Sequence, residues 1–215
     1  MLVLHYTAMA TAEAALARLC DRSAEVSAHY LIAEDGRTWA LVPEADRAWH
    51  AGAGAWGGIT DVNSRSIGIE LANAGPLDAF PPYPEPQMRA LEALVDGIRD
   101  RWPIPPERVI GHSDMAPARK SDPGPKFDWR RLALAGRAVW PEPGPPGDGG
   151  WPAFRAAAAR AGYVAPGDDW GAVLAAFRLR FRPGALAAEL DGSDVALAHA
   201  LAAAHPCVDA GAPRA

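Results

Sequence analysis

The chain has 215 residues, enough to bury a substantial core, and its 49% hydrophobic and 22% charged residues are ordinary for a globular protein. With 21 basic and 26 acidic residues the formal charge is -5, which excludes the electropositive footprint of a nucleic-acid or anionic-lipid binder. Cys20 and Cys207 lack CxxC or CxxH neighbours, which argues against a disulfide framework and against a thiolate zinc site.

Residues 1–7 are a short apolar run that predicts a buried strand, with His5 near its C-terminal end. Thr11 is placed to cap an Ala-rich helix reaching about residue 20. Residues 28–33 (AHYLIA) and 38–42 (TWALV) flank an Asp-Gly pair, the pattern of two strands joined by a tight turn. After a Gly-rich loop at 51–58, residues 66–71 (SIGIEL) predict another buried strand, one that contains a carboxylate, Glu70. Between 84 and 102, Met88, Leu91, Leu94, Val95, Ile98 and Trp102 recur at helical spacing, so an amphipathic helix packs on the sheet. Residues 109–112 (VIGH) predict a last strand, 113–125 a long loop and 129–134 a short helix. The expected fold is α/β, a central mixed sheet flanked by helices.

Residues 141–150 (PEPGPPGDGG) offer nothing to pack and predict a stiff, exposed linker. Beyond it, stretches 151–161, 168–180 and 194–205 each carry an apolar helical stripe punctuated by glycine. The expected organisation is an α/β unit at 1–140, a linker at 141–150 and a small all-α three-helix module at 151–207. No run approaches the roughly 18–20 apolar residues that span a bilayer. The N-terminus carries no long apolar segment with a small-residue cleavage site, so the expected location is cytoplasmic; a role outside the cytoplasm requires export by another route.

The chemistry concentrates in residues 111–129, GHSDMAPARKSDPGPKFDW. Taken singly, His112 reads as a hydrogen-bonded histidine, Asp122 as the cap of a Pro-Gly turn and Lys120 as a solvated charge. Taken with His5 and Glu70, they share one explanation. A catalytic zinc ion takes three protein ligands and leaves one position open, and His5, His112 and Asp122 supply two imidazoles and a carboxylate. An ionised carboxylate in an apolar strand is costly unless paired, so Glu70 reads either as a structural ion pair or as a general base with a raised pKa that later serves as general acid. Lys120 then stabilises the oxyanion of a tetrahedral intermediate.

At these residues the chain resembles the N-acetylmuramoyl-L-alanine amidases of the type-2 zinc amidase and peptidoglycan-recognition superfamily. The resemblance rests on LHYT (4–7), AHYLI (28–32), AWHAG (48–52), SIGIEL (66–71) and the block at 111–129, and covers about residues 1–134. It implies a Zn2+ cofactor on His5, His112 and Asp122, catalytic roles for Glu70 and Lys120, and a peptidoglycan or muropeptide substrate. It further implies that Trp49, His50, Trp56, Asn63 and Asn73 line or support the substrate groove; His29, His199 and His205 match no ligand position. Asp61 stands where relatives often carry a basic residue, and Ala118 where a Gly usually precedes Arg-Lys; Arg65 is expected to take over the contact with substrate carboxylates. The 151–207 segment loosely resembles a three-helix peptidoglycan-binding domain. The competing reading, a recognition protein that binds wall fragments without cutting them, usually lacks a ligand that this chain retains.

Overall fold

The computed structural model describes residues 1–142 and 144–207. The first apolar run is strand β1 (Leu2–Tyr6), followed by helix α1 (Ala12–Cys20), whose first turn is capped where Ala14 N donates to the Thr11 hydroxyl. The hairpin comprises β2 (Tyr30–Ile32) and β3 (Thr38–Ala40). Its turn uses Gly36 at φ 90°, where an added Cβ would also meet the Pro86 carbonyl oxygen at 2.9 Å. Strand β4 (Ile67–Leu71), helix α2 (Glu85–Arg101) and strand β5 (Val109–Gly111) complete a five-stranded mixed sheet of order β3-β2-β4-β1-β5. The β2–β3 pair is antiparallel; β2–β4, β4–β1 and β1–β5 are parallel.

Side chains alternate across a strand, and that alternation places the site. Leu2, Leu4, Ile67, Ile69 and Leu71 join Met88, Leu91, Val95 and Ile98 of α2 in one core, so α2 covers that face. The opposite face therefore receives Val3, His5, Gly68 and Glu70. In the parallel β1–β4 ladder His5 lies directly beside Glu70, and Val3 beside Gly68. A carboxylate in an apolar strand is thus the outward half of a period-two pattern.

Residues 112–115 depart from the expected strand end and loop start, whereas 116–125 form the expected loop. β5 stops at Gly111 and His112 opens a short helix, α3 (His112–Met115), before α4 (Trp129–Leu134). Gly111 cannot be larger here, because a Cβ would meet Pro123 Cδ at 2.8 Å. The Asp122–Pro123 peptide is cis.

The remaining helices are α5 (Gly150–Ala161), α6 (Trp170–Phe181) and α7 (Gly192–Ala204). They form one hydrophobic cluster with Val3, Trp56, Ile110 and Met115, so they close the second face of the sheet beside the site. In the segment before them Pro141 is buried and Gly147 N donates to the Gly192 carbonyl at 2.8 Å, while its other described residues are exposed as expected of a linker. Backbone donors find partners whatever the side chains offer, which a reading from side-chain character alone misses. Among the described residues no helix is long and apolar enough to cross a membrane.

Candidate active site

At the C-terminal end of β1, His5 Nδ1 and His112 Nδ1 lie 2.9 Å apart, and each is 3.0 Å from Asp122 Oδ2. Three elements deliver these atoms: β1 carries His5, α3 carries His112, and the loop before the Pro123-Gly124 turn carries Asp122. The loop is fastened to α3, because Ser113 N donates to the Asp122 carbonyl at 2.9 Å. All three side chains are buried, and they form a His-His-Asp group able to hold a metal ion.

The hydrogen bonds behind the rings settle which nitrogens face one another. His112 Nε2 lies 2.8 Å from the Ala51 carbonyl, an acceptor only, so Nε2–H donates there and Nδ1 keeps its lone pair. His5 is set by a longer chain. The Ser66 hydroxyl donates to the Val62 carbonyl at 2.5 Å and accepts from His50 Nε2 at 3.2 Å, which leaves His50 Nδ1 to accept from His5 Nε2 at 3.0 Å. Both inward Nδ1 atoms are then acceptors, and the third inward atom is a carboxylate oxygen. Three acceptors this close repel one another unless a cation sits among them. The donor set is one that zinc accepts, and its spacing approaches the roughly 3.3 Å between ligand atoms at tetrahedral bonds of about 2.0–2.1 Å.

Charge states agree. Burial, helped by neighbouring His112, lowers the His5 pKa to about 4, although Asp122 opposes the shift. Burial and the neighbouring histidines hold His50 far below its ordinary value. Burial pushes the Asp122 carboxyl up, but the His112 and His5 rings outweigh it and leave the group well below the usual range. Neutral imidazoles beside a carboxylate are the states that ligate a divalent ion. Glu70 is the reverse case: burial and then the Asp122 charge raise its pKa well above the ordinary value, against a smaller pull from Lys120. Its Oε2 is buried with no hydrogen-bond partner among the described residues.

These groups open into a cleft of about 430 Å³ whose walls include His5, Trp49, His50, Glu70, His112, Arg119, Lys120 and Asp122. The face of α1 with Ala15, Arg18 and Leu19 forms one side. Trp49 is 54% exposed, so its indole is available to a ligand. His50 lies at the floor of the cleft: it packs on the sheet where a Cβ at Gly68 would meet its Cγ at 2.4 Å, and its Nδ1 lies 3.0 Å from His5 Nε2. Asn63 supports the same loop, its Oδ1 accepting from His50 N and Ala51 N. Asn73 braces the loop after β4 through Gly75 N and the Pro81 carbonyl. Two expected groove residues lie elsewhere. Trp56 is only 3% exposed and packs edge-on against Tyr163 at 4.8 Å, because the helical segment covers it. Arg65 points into a different hollow with Ser64, Trp102 and Ile104, since it precedes β4 at the end of the sheet remote from His5. His29 is structural, accepting from Gly68 N and donating to the Asp46 carbonyl.

Several cleft residues had escaped sequence reasoning. Arg119 donates to the Ala51 and Ala53 carbonyls and has no carboxylate partner among the described residues. Ser121 meets the Tyr6 hydroxyl at 2.6 Å. Both flank Lys120 within the recognised block, and that adjacency was the available signal. Ser66 gave no local sign of its role.

Residues 1–125 match the family described as N-acetylmuramoyl-L-alanine amidase. The chain is 38% identical over 229 residues to the N-acetylmuramoyl-L-alanine amidase AmiD of Escherichia coli (strain K12), spanning 94% of this chain and 81% of that one. Among solved structures, the complex of E. coli AmiD with the substrate anhydro-N-acetylmuramic acid-L-Ala-D-gamma-Glu-L-Lys superposes with a TM-score of 0.84 at 39% identity, covering 94% of this chain and 87% of that one. AMPDH3 from Pseudomonas aeruginosa in complex with anhydromuramic pentapeptide gives a TM-score of 0.85 at 35% identity, covering 96% and 92%.

Proposed function

The chain belongs to the N-acetylmuramoyl-L-alanine amidase family, and from that membership we propose that it is a zinc amidase releasing the peptide stem of muropeptides at the lactyl–L-alanine amide. The observation that carries the reading is the convergence of three acceptor atoms, from His5, His112 and Asp122, within 3.0 Å of one another in a cleft that also holds Glu70 and Lys120. The ion, when bound by these three side chains, supplies Lewis-acid polarisation of a carbonyl and acidification of water.

The chain's own groups do the rest. Glu70, half-buried and with a raised pKa, takes a proton from the attacking water and returns it to the departing amine of L-alanine. Lys120 presents its ammonium to the oxygen on which negative charge develops. His50 and Ser66 hold the tautomer of His5, and the Ala51 carbonyl holds that of His112. Trp49 offers an exposed face to a sugar ring. The substrate is an anhydro-muramyl peptide, in keeping with the ligands of the similar solved structures. Residues 1–140 are the catalytic unit, and 151–207 a three-helix module joined to it by 141–150.

Mass spectrometry of products from soluble anhydro-muropeptides and from intact sacculi tests this, with and without a chelator. Release of a free L-alanyl peptide that stops on chelation and returns with zinc is expected. Cleavage indifferent to the chelator would overturn the mechanism, and retention of ligand without cleavage would make the chain a recognition protein.

A further inference from the structure

The two arginines of α6, Arg178 and Arg180, are both buried, and they face opposite ways because residues two apart on a helix diverge by about 200°. Arg178 stays within the helical segment, bonded to Asp194 and to the Ala188 and Glu189 carbonyls. Arg180 leaves it. Its Nη1 donates to Asp114 Oδ2 at 2.8 Å, its Nη2 reaches the Val109 carbonyl of β5, and its guanidinium lies 4.0 Å from the centre of the Trp129 ring. Tyr163, which follows α5, donates its hydroxyl to the other Asp114 oxygen at 2.6 Å.

Asp114 is thereby held on both oxygens by the helical segment, and its Oδ2 also accepts from Gly111 N at 2.8 Å. That last bond closes the turn at which β5 becomes α3, one residue before His112. The same short helix fastens the Asp122 loop through Ser113 N. Two of the three proposed metal ligands therefore take their orientation from α3, and α3 takes its own from Asp114.

Stability alone does not account for this junction. A buried ion pair is often no better than apolar residues of similar volume, and here Arg180 Nε is buried with no hydrogen-bond partner. What the pair supplies is direction: one arm of the guanidinium holds the carboxylate while the other bonds the Val109 carbonyl of β5, and the carboxylate fixes a turn of backbone.

We infer that Arg180 and Tyr163 are positioning residues for the metal centre, acting through Asp114 and α3, so that the C-terminal helices are a working part of the catalytic site. The inference rests on the reading of His5, His112 and Asp122 as a zinc site, and it concerns a contact outside that site.

The test uses the full chain stripped of metal, compared as wild type, Tyr163→Phe, Arg180→Met and Arg178→Met. Zinc affinity is measured by competition with a chromogenic chelator, ligand geometry by the visible spectrum of the cobalt(II) form, and folding by thermal melting. Tyr163→Phe and Arg180→Met are expected to weaken zinc binding roughly 10- to 100-fold and to shift the cobalt bands. Arg178→Met is expected to lower Tm while binding zinc and cobalt as the wild type does. Tyr163→Phe removes a single hydroxyl and keeps the ring packed edge-on against Trp56 and Phe177, so it carries the test if Arg180→Met does not fold. Unchanged affinity and spectra in Tyr163→Phe and Arg180→Met, or an equal loss in Arg178→Met, would overturn the inference alone. A wild type that binds no zinc would overturn it together with the reading of the site.

Discussion

Glu70→Gln should make the metal-free protein more stable relative to wild type as pH rises, while removing most of its activity. Glu70 is half-buried in β4 with Oε2 enclosed and unpartnered among the described residues, and desolvation followed by the Asp122 charge raises its pKa well above 4.5. A carboxyl with a raised folded-state pKa binds its proton more tightly in the folded protein than in the unfolded one. Its stabilising contribution is complete below pH 4.5 and is lost as pH climbs toward the raised value, at about 1.4 kcal/mol per pH unit. Glutamine does not titrate, so the gap between the two proteins should widen by that slope. For a chain of this size about 1 kcal/mol moves Tm by 2–4 °C, which makes the gap grow by up to roughly 3–6 °C per pH unit between the ordinary carboxyl value and the raised one, and level off beyond it. A new amide proton left without a partner adds a fixed penalty of about 1–3 kcal/mol, so the slope and not the absolute Tm is diagnostic. Thermal melts of both proteins in chelator from pH 5 to 8 read it directly. Loss of the general base should lower kcat by roughly 100- to 10,000-fold in the zinc form. Parallel Tm curves across that range would refute the assignment of Glu70 as a desolvated, proton-holding group.

Trp56→Ala should lose about 3–5 kcal/mol, a Tm drop of roughly 6–20 °C, because it empties a site packed against Tyr163, whereas Trp49→Ala should move Tm by no more than about 2 °C and raise KM. His50→Gln should weaken zinc binding about 10- to 100-fold with little change in KM, and Ser66→Ala should act in the same direction; competition against a chelator measures both. Arg119→Ala should raise KM roughly 10- to 100-fold, since this guanidinium lines the cleft and has no carboxylate partner among the described residues, and Arg65→Ala should leave KM unaltered. Steady-state kinetics with an anhydro-muropeptide decides between the two arginines.

Much of the sheet was legible because its strands are short apolar runs bounded by turn signals, and Glu70 stood out as a carboxylate where burial is expensive. The register that sets Glu70 beside His5 was not legible, since β1 and β4 pair in parallel across a long connection. Nor was the start of α3: VIGH continues as an apolar run, and the change to helix comes from a buried contact between Asp114 and Gly111 N. Trp49 and Trp56 flank the same Gly-rich loop and look alike in sequence. Their different fates depend on Gly162 and Tyr163, which arrive from far downstream and cover only one of them. Arg180 offered no local clue, because an arginine in an Ala-rich helix reads as solvated until its partner is known.

The most direct test of the zinc-centre account is a titration of zinc into metal-free protein while release of L-alanyl peptide from an anhydro-muropeptide is followed. Activity absent at the start, rising in proportion to added metal and levelling at one ion per chain, is the predicted result, with no such rise in Asp122→Ala. Full activity before any zinc is added, or an Asp122→Ala protein that responds as the wild type does, would contradict it.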